Sequence, residues 1–446
     1  MLDLVQDAVR QAQALGATDA ECTLAEGNEF SVSIRKQEVE NLKESGSRGL
    51  GLRVLIHQRT GSAYTSDLSR DGVARMVRAA IDNASVTTDD PFAGLPDPAD
   101  LGQLSGDLGL YSDSIDSLST PEKIDRARRA EQAAFDFDPR ITNSEGAGFD
   151  SGTGARYFAN SRGFAGFYRT SSCSLTCVPV AQQEDGSMER DWWYSSARTP
   201  EKLEAPESIG RIAAERTLRR LGARKIPTQK AAIVLDPRMA RSLISHIFEA
   251  ISGDSIYRQA SFLAGKLGQQ VAGKNITITD DGTIPGLWGT SPFDDEGVPS
   301  RRTVVIQDGV LQSYLLNTYT ARKLGLKTTG NASRGLSGAA SVGHGNFFLS
   351  PGDISPDQLI RSTKSGLYVT EMLGFGVNTV NGDFSQGASG LWIENGELAY
   401  PVREVTIASS LPEMLNSIDA LANDLEFRSS MAAPTLRIAE MMISGS

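Results

Sequence analysis

The chain has 446 residues and a mass of 47.8 kDa. This is about three times the ~150 residues of a typical domain, so the length predicts two large domains. The residues are 39% hydrophobic and 22% charged, which excludes wholesale disorder, collagen and coiled coil. The formal net charge of −11 argues against nucleic acid as a partner, because that affinity depends on Lys and Arg neutralising phosphates. The chain has only three histidines and three cysteines, which leaves few ligands for a protein metal site.

The N-terminal segment lacks the basic and apolar regions of a secretory signal, and no run of about 18 apolar residues follows it. We therefore expect a cytoplasmic protein that does not bind membranes. An odd, low cysteine count fits a reducing compartment. Cys173 and Cys177 are expected to lie on one face of a strand rather than to form a redox or metal-binding pair.

The first predicted elements combine helices with strands. Apolar residues at helical spacing predict a helix over Leu2 to Leu15. Alternating apolar residues predict a strand at Phe30 to Ile34, and Gly51 to His57 with Ser62 to Thr65 predict a hairpin. A second helix is expected from about Leu68. The order of helix, strands and helix indicates an α+β domain.

An acidic connection over about residues 87–119 follows, rich in Pro, Gly, Asp and Ser. Its charge run is typical of a solvated surface segment. Two later segments, Thr120 to Lys123 and Thr199 to Lys202, share the sequence Thr-Pro-Glu-Lys. Each is expected to begin a helix, because Thr can cap it and Pro suits its first turn. Strands and turns are expected between these helices, and we place the end of this N-terminal α+β domain, residues 1–223, near Ala223.

The pattern changes after Arg224. A short buried strand is expected at Ala231 to Leu235. It precedes a helix that Asp236 and Pro237 begin and that is expected to run to Gly253.

Hairpins dominate the rest of the chain. Asp308-Gly309 and Asn395-Gly396 each separate two apolar runs, which is a strong hairpin signal. Thr328 to Gly352 holds six glycines and no carboxylate, which predicts a mobile segment. The expected fold class is therefore α+β, with an N-terminal α/β two-layer domain and a β-rich, partly closed, barrel-like C-terminal domain over residues 224–446.

Several common catalytic motifs are absent from the sequence. It contains neither G-x-x-x-x-G-K-[ST] nor a complete G-x-G-x-x-G, the patterns that bind phosphates and dinucleotides. No G-x-S-x-G nucleophile motif occurs either. His57, His246 and His344 lie far apart in sequence, so a hydrolase triad would have to be assembled entirely by the tertiary fold.

The helix from Pro237 is the one candidate for metalloprotease chemistry. Its apolar residues from Met239 to Ile251 cover one face and predict a core stripe. His246 and Glu249 lie outside that stripe, one turn apart. We interpret them as a solvated, hydrogen-bonded pair, because one histidine cannot complete a zinc coordination sphere.

Several longer segments form a more specific pattern that extends over nearly the whole chain. They are Ile141 to Gly146, Phe158 to Gly163, Met188 to Asp191, Arg241 to Leu263, Ser291 to Gly297, Tyr319 to Gly325 and Gly382 to Gly396. In content and order they resemble the PmbA/TldE branch of the TldD/PmbA family, which was formerly called modulator of DNA gyrase.

The resemblance implies a subunit of a heterodimeric zinc metalloprotease, whose two homologous chains process peptides and unfolded protein segments. The catalytic TldD-type chain carries H-E-x-x-x-H on a helix and a cysteine ligand near its C-terminus. The helix positions fall here on Phe248, Glu249 and Gly253, and Arg428 to Pro434 contains no cysteine. The resemblance therefore implies no catalytic or metal-binding residue in this chain and zinc only in a TldD-type partner. The chain would be inactive alone and would complete the substrate channel.

Contacts with substrate or partner are expected at His246, Glu249 and Asp254. We also expect a homodimer when the chain is isolated, because homologous chains that pair by pseudo-twofold symmetry can often self-pair. Two alternatives stay open. One is a stand-alone protein-binding regulator without protease activity, as the gyrase-modulator name suggests. The other is a divergent metalloenzyme that uses His246, Glu249 and Asp254.

Overall fold

Two separate β-sheet systems, one in each half of the chain, organise the computed structural model, which describes residues 1–445. In the N-terminal half, seven strands form one sheet in the order β3-β2-β1-β4-β5-β6, and β7 also pairs with β5. The strands are β1 Asp19–Arg35, β2 Glu38–Ile56, β3 Arg59–Thr65, β4 Ile141–Asn160, β5 Ala165–Gln182, β6 Met188–Arg190 and β7 Trp193–Ala197. The helices of this half are α1 Leu2–Ala14, α2 Arg70–Ser85, α3 Thr120–Phe135 and α4 Pro206–Leu218.

Two pairs of helices cover different parts of the N-terminal sheet. Helices α1 and α2 pack on the part of the sheet that contains Leu50 and Leu52. Helices α3 and α4 pack on the part that contains Phe149 and Leu175, and Cys173 and Cys177 are buried there on one face of β5. This arrangement confirms the expected two-layer α/β domain and the placement of the two cysteines on a strand.

The C-terminal half contains a closed barrel and a smaller sheet. Strands β15, β8, β21, β18 and β17 pair in that order, and β17 pairs back with β15 to close the barrel. The smaller sheet has the order β11-β10-β9-β14-β20. The strands are β8 Gln229–Leu235, β9 Ile278–Asp281, β10 Arg302–Gln307, β11 Val310–Leu311, β12 Ala332–Ser333, β13 Ser341–Val342, β14 Phe347–Leu349, β15 Ser365–Leu373, β16 Val377–Asn378, β17 Asp383–Glu394, β18 Glu397–Ser410, β19 Ile418–Leu421, β20 Met431–Ala432 and β21 Leu436–Ser444.

The helices of this half are α5 Pro237–Ile251, α6 Gly253–Tyr257, α7 Thr318–Leu324, α8 Pro356–Arg361 and α9 Leu411–Ser417. Helix α5 contacts barrel strands β8 and β15 as well as β14 and β20 of the smaller sheet, so it joins the two into one core. The β-rich, barrel-like domain expected from the sequence is therefore confirmed. Within residues 1–445, no helix is long and apolar enough to cross a membrane.

Local predictions succeeded where a turn or a cap defined the element. The helix predicted at Leu2 forms as α1, and the Asp308-Gly309 and Asn395-Gly396 hairpins form as β10–β11 and β17–β18. The helix predicted at Thr199 was wrong, because Pro200–Lys202 makes only a single 3₁₀ turn. Leu203 then adopts an extended backbone, with ψ of 143°. Helix α4 begins only at Pro206, a proline in the first turn, where its missing N–H costs no hydrogen bond.

The acidic connection between α2 and α3 ties the two halves together. Leu95, Leu110 and Ile115 are buried, so part of this segment lies inside the molecule. The connection bonds the C-terminal half at several points, among them the Tyr319 hydroxyl, which donates to Asp90 at 2.9 Å. Gly102 and Leu104 donate their backbone N–H groups to carbonyl groups of the C-terminal half. These bonds fix how the N-terminal sheet faces the C-terminal domain.

The glycine-rich segment before β14 reaches across to the N-terminal sheet. Arg334 is buried and forms an ion pair with Glu21 of β1, which also pairs with Arg53 of β2 at 2.8 Å. The backbone of Leu336 lies so close to Gly51 that a side chain at Gly51 would overlap it. The sequence predicted a mobile segment here, whereas the structure packs its centre into the interface between the two halves.

Candidate functional site

The family motif falls on the end of helix α5, which holds Phe248 and Glu249, and on Gly253, the first residue of α6. Asp236 begins α5 by accepting a hydrogen bond from the Met239 N–H at 2.9 Å, and Pro237 occupies the first turn. Leu243, Ile247 and Ile251 of its apolar stripe are fully buried, and Met239 is partly buried. The stripe therefore anchors the helix in the core and fixes which way the other residues of the helix face.

Phe248, the first motif position, is part of an aromatic cluster. Its ring meets the His344 ring edge to face at a centroid distance of 4.8 Å and the Phe347 ring at 5.7 Å. Such pairs stabilise their surroundings beyond simple burial. Phe248 also lines a cavity of 480 Å³, which we call the site cavity. A packed aromatic ring thus stands at the position where the sequence resemblance implies the first histidine of the motif.

The other two motif positions do not line the site cavity. Glu249 is exposed. Gly253 is buried, and a Cβ atom there would lie 2.5 Å from Oγ1 of Thr320 and 2.7 Å from a methyl carbon of Leu316. Such distances are far shorter than van der Waals contact, so no side chain fits at Gly253 unless α7 and the chain before it move.

His246 and Asp254 are likewise separate from the site cavity. His246 is half-buried, and this burial lowers the pKa of its imidazole despite the nearby carboxylate of Glu249. Asp254 accepts a hydrogen bond from the Val342 N–H at 2.9 Å and thereby ties α6 to β13. Of the residues singled out from the sequence, only Phe248 reaches the cavity.

The site cavity lies where the two halves of the chain meet. Tyr168 of β5 lines it from the N-terminal half, and the remaining lining residues come from the C-terminal half. Four aromatic rings belong to the lining: Tyr168, Phe248, Trp288 and Phe293. Three aspartates also line the cavity, Asp280, Asp294 and Asp295, with glycines and small polar residues between them. The cavity is therefore aromatic and acidic.

Two of the three aspartates have their hydrogen bonds satisfied. Asp294 accepts from the backbone N–H groups of Glu296, Val298 and Ala332, while burial and the nearby Glu296 raise its pKa. Asp295 forms an ion pair with Arg156 of the N-terminal half at 2.9 Å. These two carboxyl groups hold the loop and the interface in place.

A larger cavity of 630 Å³ adjoins the first, and Trp288 and Ser430 line both. Small polar side chains of the N-terminal sheet form one side of this adjoining cavity, among them Ser31, Ser174 and Ser196. Arg428, Ser429 and Ser430 form the opposite side. The Arg428–Pro434 stretch, where the sequence resemblance implies the cysteine ligand of a catalytic chain, thus begins at the junction of the two cavities.

The residues present do not fit a zinc ion at the family position. Phe248 offers no ligand atom, Glu249 faces solvent, and Gly253 has no room for a side chain. Across residues 1–445, no three His, Cys, Asp or Glu side chains are grouped so that they could hold a metal ion. Asp280, which does line the cavity, was not singled out from the sequence, because the residues around it come from distant segments.

Comparison with known proteins agrees with this architecture. Three family models match: PmbA/TldA metallopeptidase domain 1 at residues 20–84, the central domain at 113–221 and the C-terminal domain at 228–445. Metalloprotease PmbA of Escherichia coli O157:H7 is 40% identical, over 99% of this chain and 96% of that protein. The chain belongs to the PmbA/TldD family.

Other members of the PmbA/TldD family include a Metalloprotease TldD homolog of Haemophilus influenzae, 27% identical over 85% of this chain and 80% of that protein. Among solved structures, a Bacteroides thetaiotaomicron protein named as a modulator of DNA gyrase aligns with a TM-score of 0.93 and 30% identity, over 100% of this chain and 98% of that one. TldE from Thermococcus kodakarensis, at 20% identity, shares the fold with a TM-score of 0.89, over 99% of this chain and 100% of that one. The resemblance read from the sequence is thereby confirmed at the level of the family.

Proposed function

We propose that this chain is the non-catalytic, PmbA/TldE-type subunit of a heterodimeric metalloprotease. Its partner would be a TldD-type chain that holds the zinc ion, and the complex would process peptides and unfolded protein segments. The observation that carries the proposal is the state of the motif positions Phe248 on α5 and Gly253 on α6. A ring packed against His344 and a glycine with no free space cannot be converted into zinc ligands by small side-chain movements.

The two adjoining cavities support a role in holding substrate. They follow the junction of the two halves of the chain, and small polar side chains and glycines make up much of their lining. Such a surface can bind an extended peptide through its main chain, which every unfolded sequence presents. In this proposal the chain completes the substrate channel and the partner supplies the chemistry.

A direct test compares the isolated chain with its complex with a TldD homologue. Zinc would be measured by elemental analysis, and cleavage would be followed with an unfolded peptide. We expect zinc and cleavage only in the complex. The variant Glu249→Gln should leave cleavage unchanged, whereas the same exchange at the glutamate of the partner's H-E-x-x-x-H motif should abolish it. Stoichiometric zinc and proteolysis in the isolated chain would refute the proposal.

The channel role has its own test. Ser174 lines the adjoining cavity, and Ser174→Trp would place a large ring there. We expect cleavage by the complex to fall about tenfold or more with zinc content unchanged, because one misplaced group in a substrate path can cost about that much. Thr88→Trp, at an exposed position in the acidic connection, is the matched control. Equal activity of both variants would argue against a channel through this cavity.

The regulator alternative makes a different prediction. A stand-alone binding protein would co-purify from cells with its target and without a TldD homologue. In our proposal the TldD-type chain is the main companion, and the isolated chain pairs with itself. Light scattering of the purified chain, alone and after mixing with the TldD homologue, measures both associations.

A further inference from the structure

Asp280 is the one aspartate of the site cavity whose carboxyl group has an unused oxygen. The residue lies on β9 between β10 and β14, and it is 2% exposed. Its Oδ2 accepts a hydrogen bond from the Asn331 side-chain amide at 2.7 Å. Its Oδ1 is buried and accepts no hydrogen bond of good geometry among residues 1–445, although the nearby Gly345 backbone N–H lowers the pKa of the carboxyl group. Because an unpaired buried carboxyl oxygen is costly, this group is suited to a further donor.

The pairing of β9 with β14 shows which way Asp280 faces. Asp280 stands directly opposite Phe347 in this antiparallel pair, so both side chains lie on the same face of the sheet. The Phe347 ring contacts Phe248 and His344, which both line the site cavity. Asn331, which holds the Asp280 carboxyl group, also lines it. We call Asp280 and Asn331 the β9 wall of the cavity.

The charges around the β9 wall favour a cationic ligand. Asp294 is fully engaged by backbone N–H groups, and Asp295 pairs with Arg156. Burial lowers the pKa of His344, which keeps its ring uncharged near neutral pH. Arg301 lines the cavity but is exposed to solvent. The interior is left with a carboxyl group that no buried cation balances.

The residues that line the cavity favour an ammonium group over a guanidinium group or a metal ion. Aromatic rings around a carboxylate are the usual surroundings of a bound ammonium group. A guanidinium is best held by two parallel hydrogen bonds, whereas one free oxygen suits a single ammonium N–H. A metal ion would need more ligands than this part of the chain groups together.

We propose that the site cavity binds a primary ammonium group of a peptide, with Asp280 as its carboxylate partner. The inference rests on the proposed function in taking the ligand to be a peptide. The ammonium group can come from the amino terminus or from a lysine side chain, which share this chemistry. The pKa of Asp280, which burial raises to about 7, is consistent with a carboxyl group that awaits a positive partner.

The test is a calorimetric titration of the isolated chain at pH 8 with three versions of a short alanine-rich peptide. One has a free amino terminus, one is acetylated, and one is acetylated but carries a single lysine. We expect the acetylated peptide to bind about tenfold more weakly than the best of the other two, since a hydrogen bond to a charged group is lost. The two peptides that carry an amine identify its source.

Variants locate the effect. Asp280→Asn retains an oxygen for the Asn331 amide, and we expect it to bind all three peptides equally. Asp353→Asn, which removes an exposed carboxylate outside the cavity, should keep the preference for an amine. If Asp280→Asn fails to fold, Trp288 serves as the reporter, because it lines the cavity. Its fluorescence should change with the amine peptides in the wild-type chain and not in Trp288→Phe.

The outcomes separate this inference from the proposed function. Equal binding of all three peptides, or an amine preference that leaves Trp288 fluorescence unchanged, would overturn the inference but not the proposed function. If no peptide binds, phenethylammonium is titrated instead. Its binding in the wild-type chain and loss in Asp280→Asn would support an ammonium site while counting against peptide processing. No binding of either probe would overturn the inference, whereas the proposed function is decided by the zinc and cleavage measurements on the complex.

Discussion

The two walls of the site cavity differ in character. The α5 wall is formed by Phe248, a packed ring at the first family motif position. The other two motif positions lie outside the cavity, where Glu249 is solvent-exposed and Gly253 has no room for a side chain. On the β9 wall, Asp280 keeps a buried carboxyl group with an unused oxygen. Packing thus occupies the position where the family resemblance would place a zinc ligand, while the β9 wall keeps the capacity to bind a ligand. This contrast is what a subunit that binds but does not cut would need.

The largest expected effect that distinguishes the two walls is the pH dependence of the unfolding free energy that Asp280 causes. Burial raises the pKa of Asp280 to about 7, from about 4 in an unfolded chain. The folded chain therefore keeps a proton that the unfolded chain releases between about pH 4 and pH 7. The free energy of unfolding should fall as pH rises through this window, by at most about 4 kcal/mol from Asp280.

Urea unfolding at several pH values checks this expectation. Asp280→Asn mimics the neutral carboxyl group, so its stability should not show the Asp280 contribution to the slope, and at pH 8 it should exceed that of the wild-type chain. Asp236, whose pKa burial raises to about 6, titrates in both proteins and cancels in the difference. If the unfolding free energies of the wild-type chain and Asp280→Asn changed with pH in the same way, Asp280 would be ionised in the folded chain throughout the window. The β9 wall would then hold an ordinary carboxylate.

The motif position at Gly253 is tested by adding a histidine, the side chain that the family motif has there. Gly253→His should lower the free energy of unfolding by about 3 kcal/mol, because its Cβ would overlap Thr320 and Leu316. Gly335→His is the matched control, since that glycine has open space around it and should change stability by no more than about 0.5 kcal/mol. Denaturant titrations measure both. A stable Gly253→His variant that binds zinc would contradict our interpretation of the motif position.

Sequence reasoning located elements that local chemistry defines. Asp236 and Pro237 marked the start of α5, and Asn395-Gly396 marked a hairpin, because caps and tight turns need particular residues at fixed positions. Strand lengths were underestimated. The predicted strand at Phe30 to Ile34 is only the end of β1, whose remaining length is paired on both sides.

Long-range contacts could not be predicted in this way. Arg334 lies in a glycine-rich segment that the sequence indicated as mobile, yet its partner Glu21 is more than three hundred residues away. Asp280 gave no local signal either, because Asn331 and Phe347, which define its surroundings, lie in other segments. The family motif pointed to Phe248, and only the tertiary structure brought Asp280 to the same cavity.

The smallest change in unfolding free energy is expected when the Phe248 ring is removed. Phe248→Ala removes a ring that packs on His344 and Phe347 but is only partly buried. We expect a loss of about 2 kcal/mol in unfolding free energy, below the 3 to 5 kcal/mol that is typical of a fully buried phenylalanine. Phe375→Ala, at a fully exposed ring, is the matched control and should cost no more than about 0.5 kcal/mol. If both variants were equally stable, the Phe248 ring would contribute no packing. Phe248 would then supply neither a ligand atom nor packing to the α5 wall. The contrast between the two walls would rest on Asp280 alone.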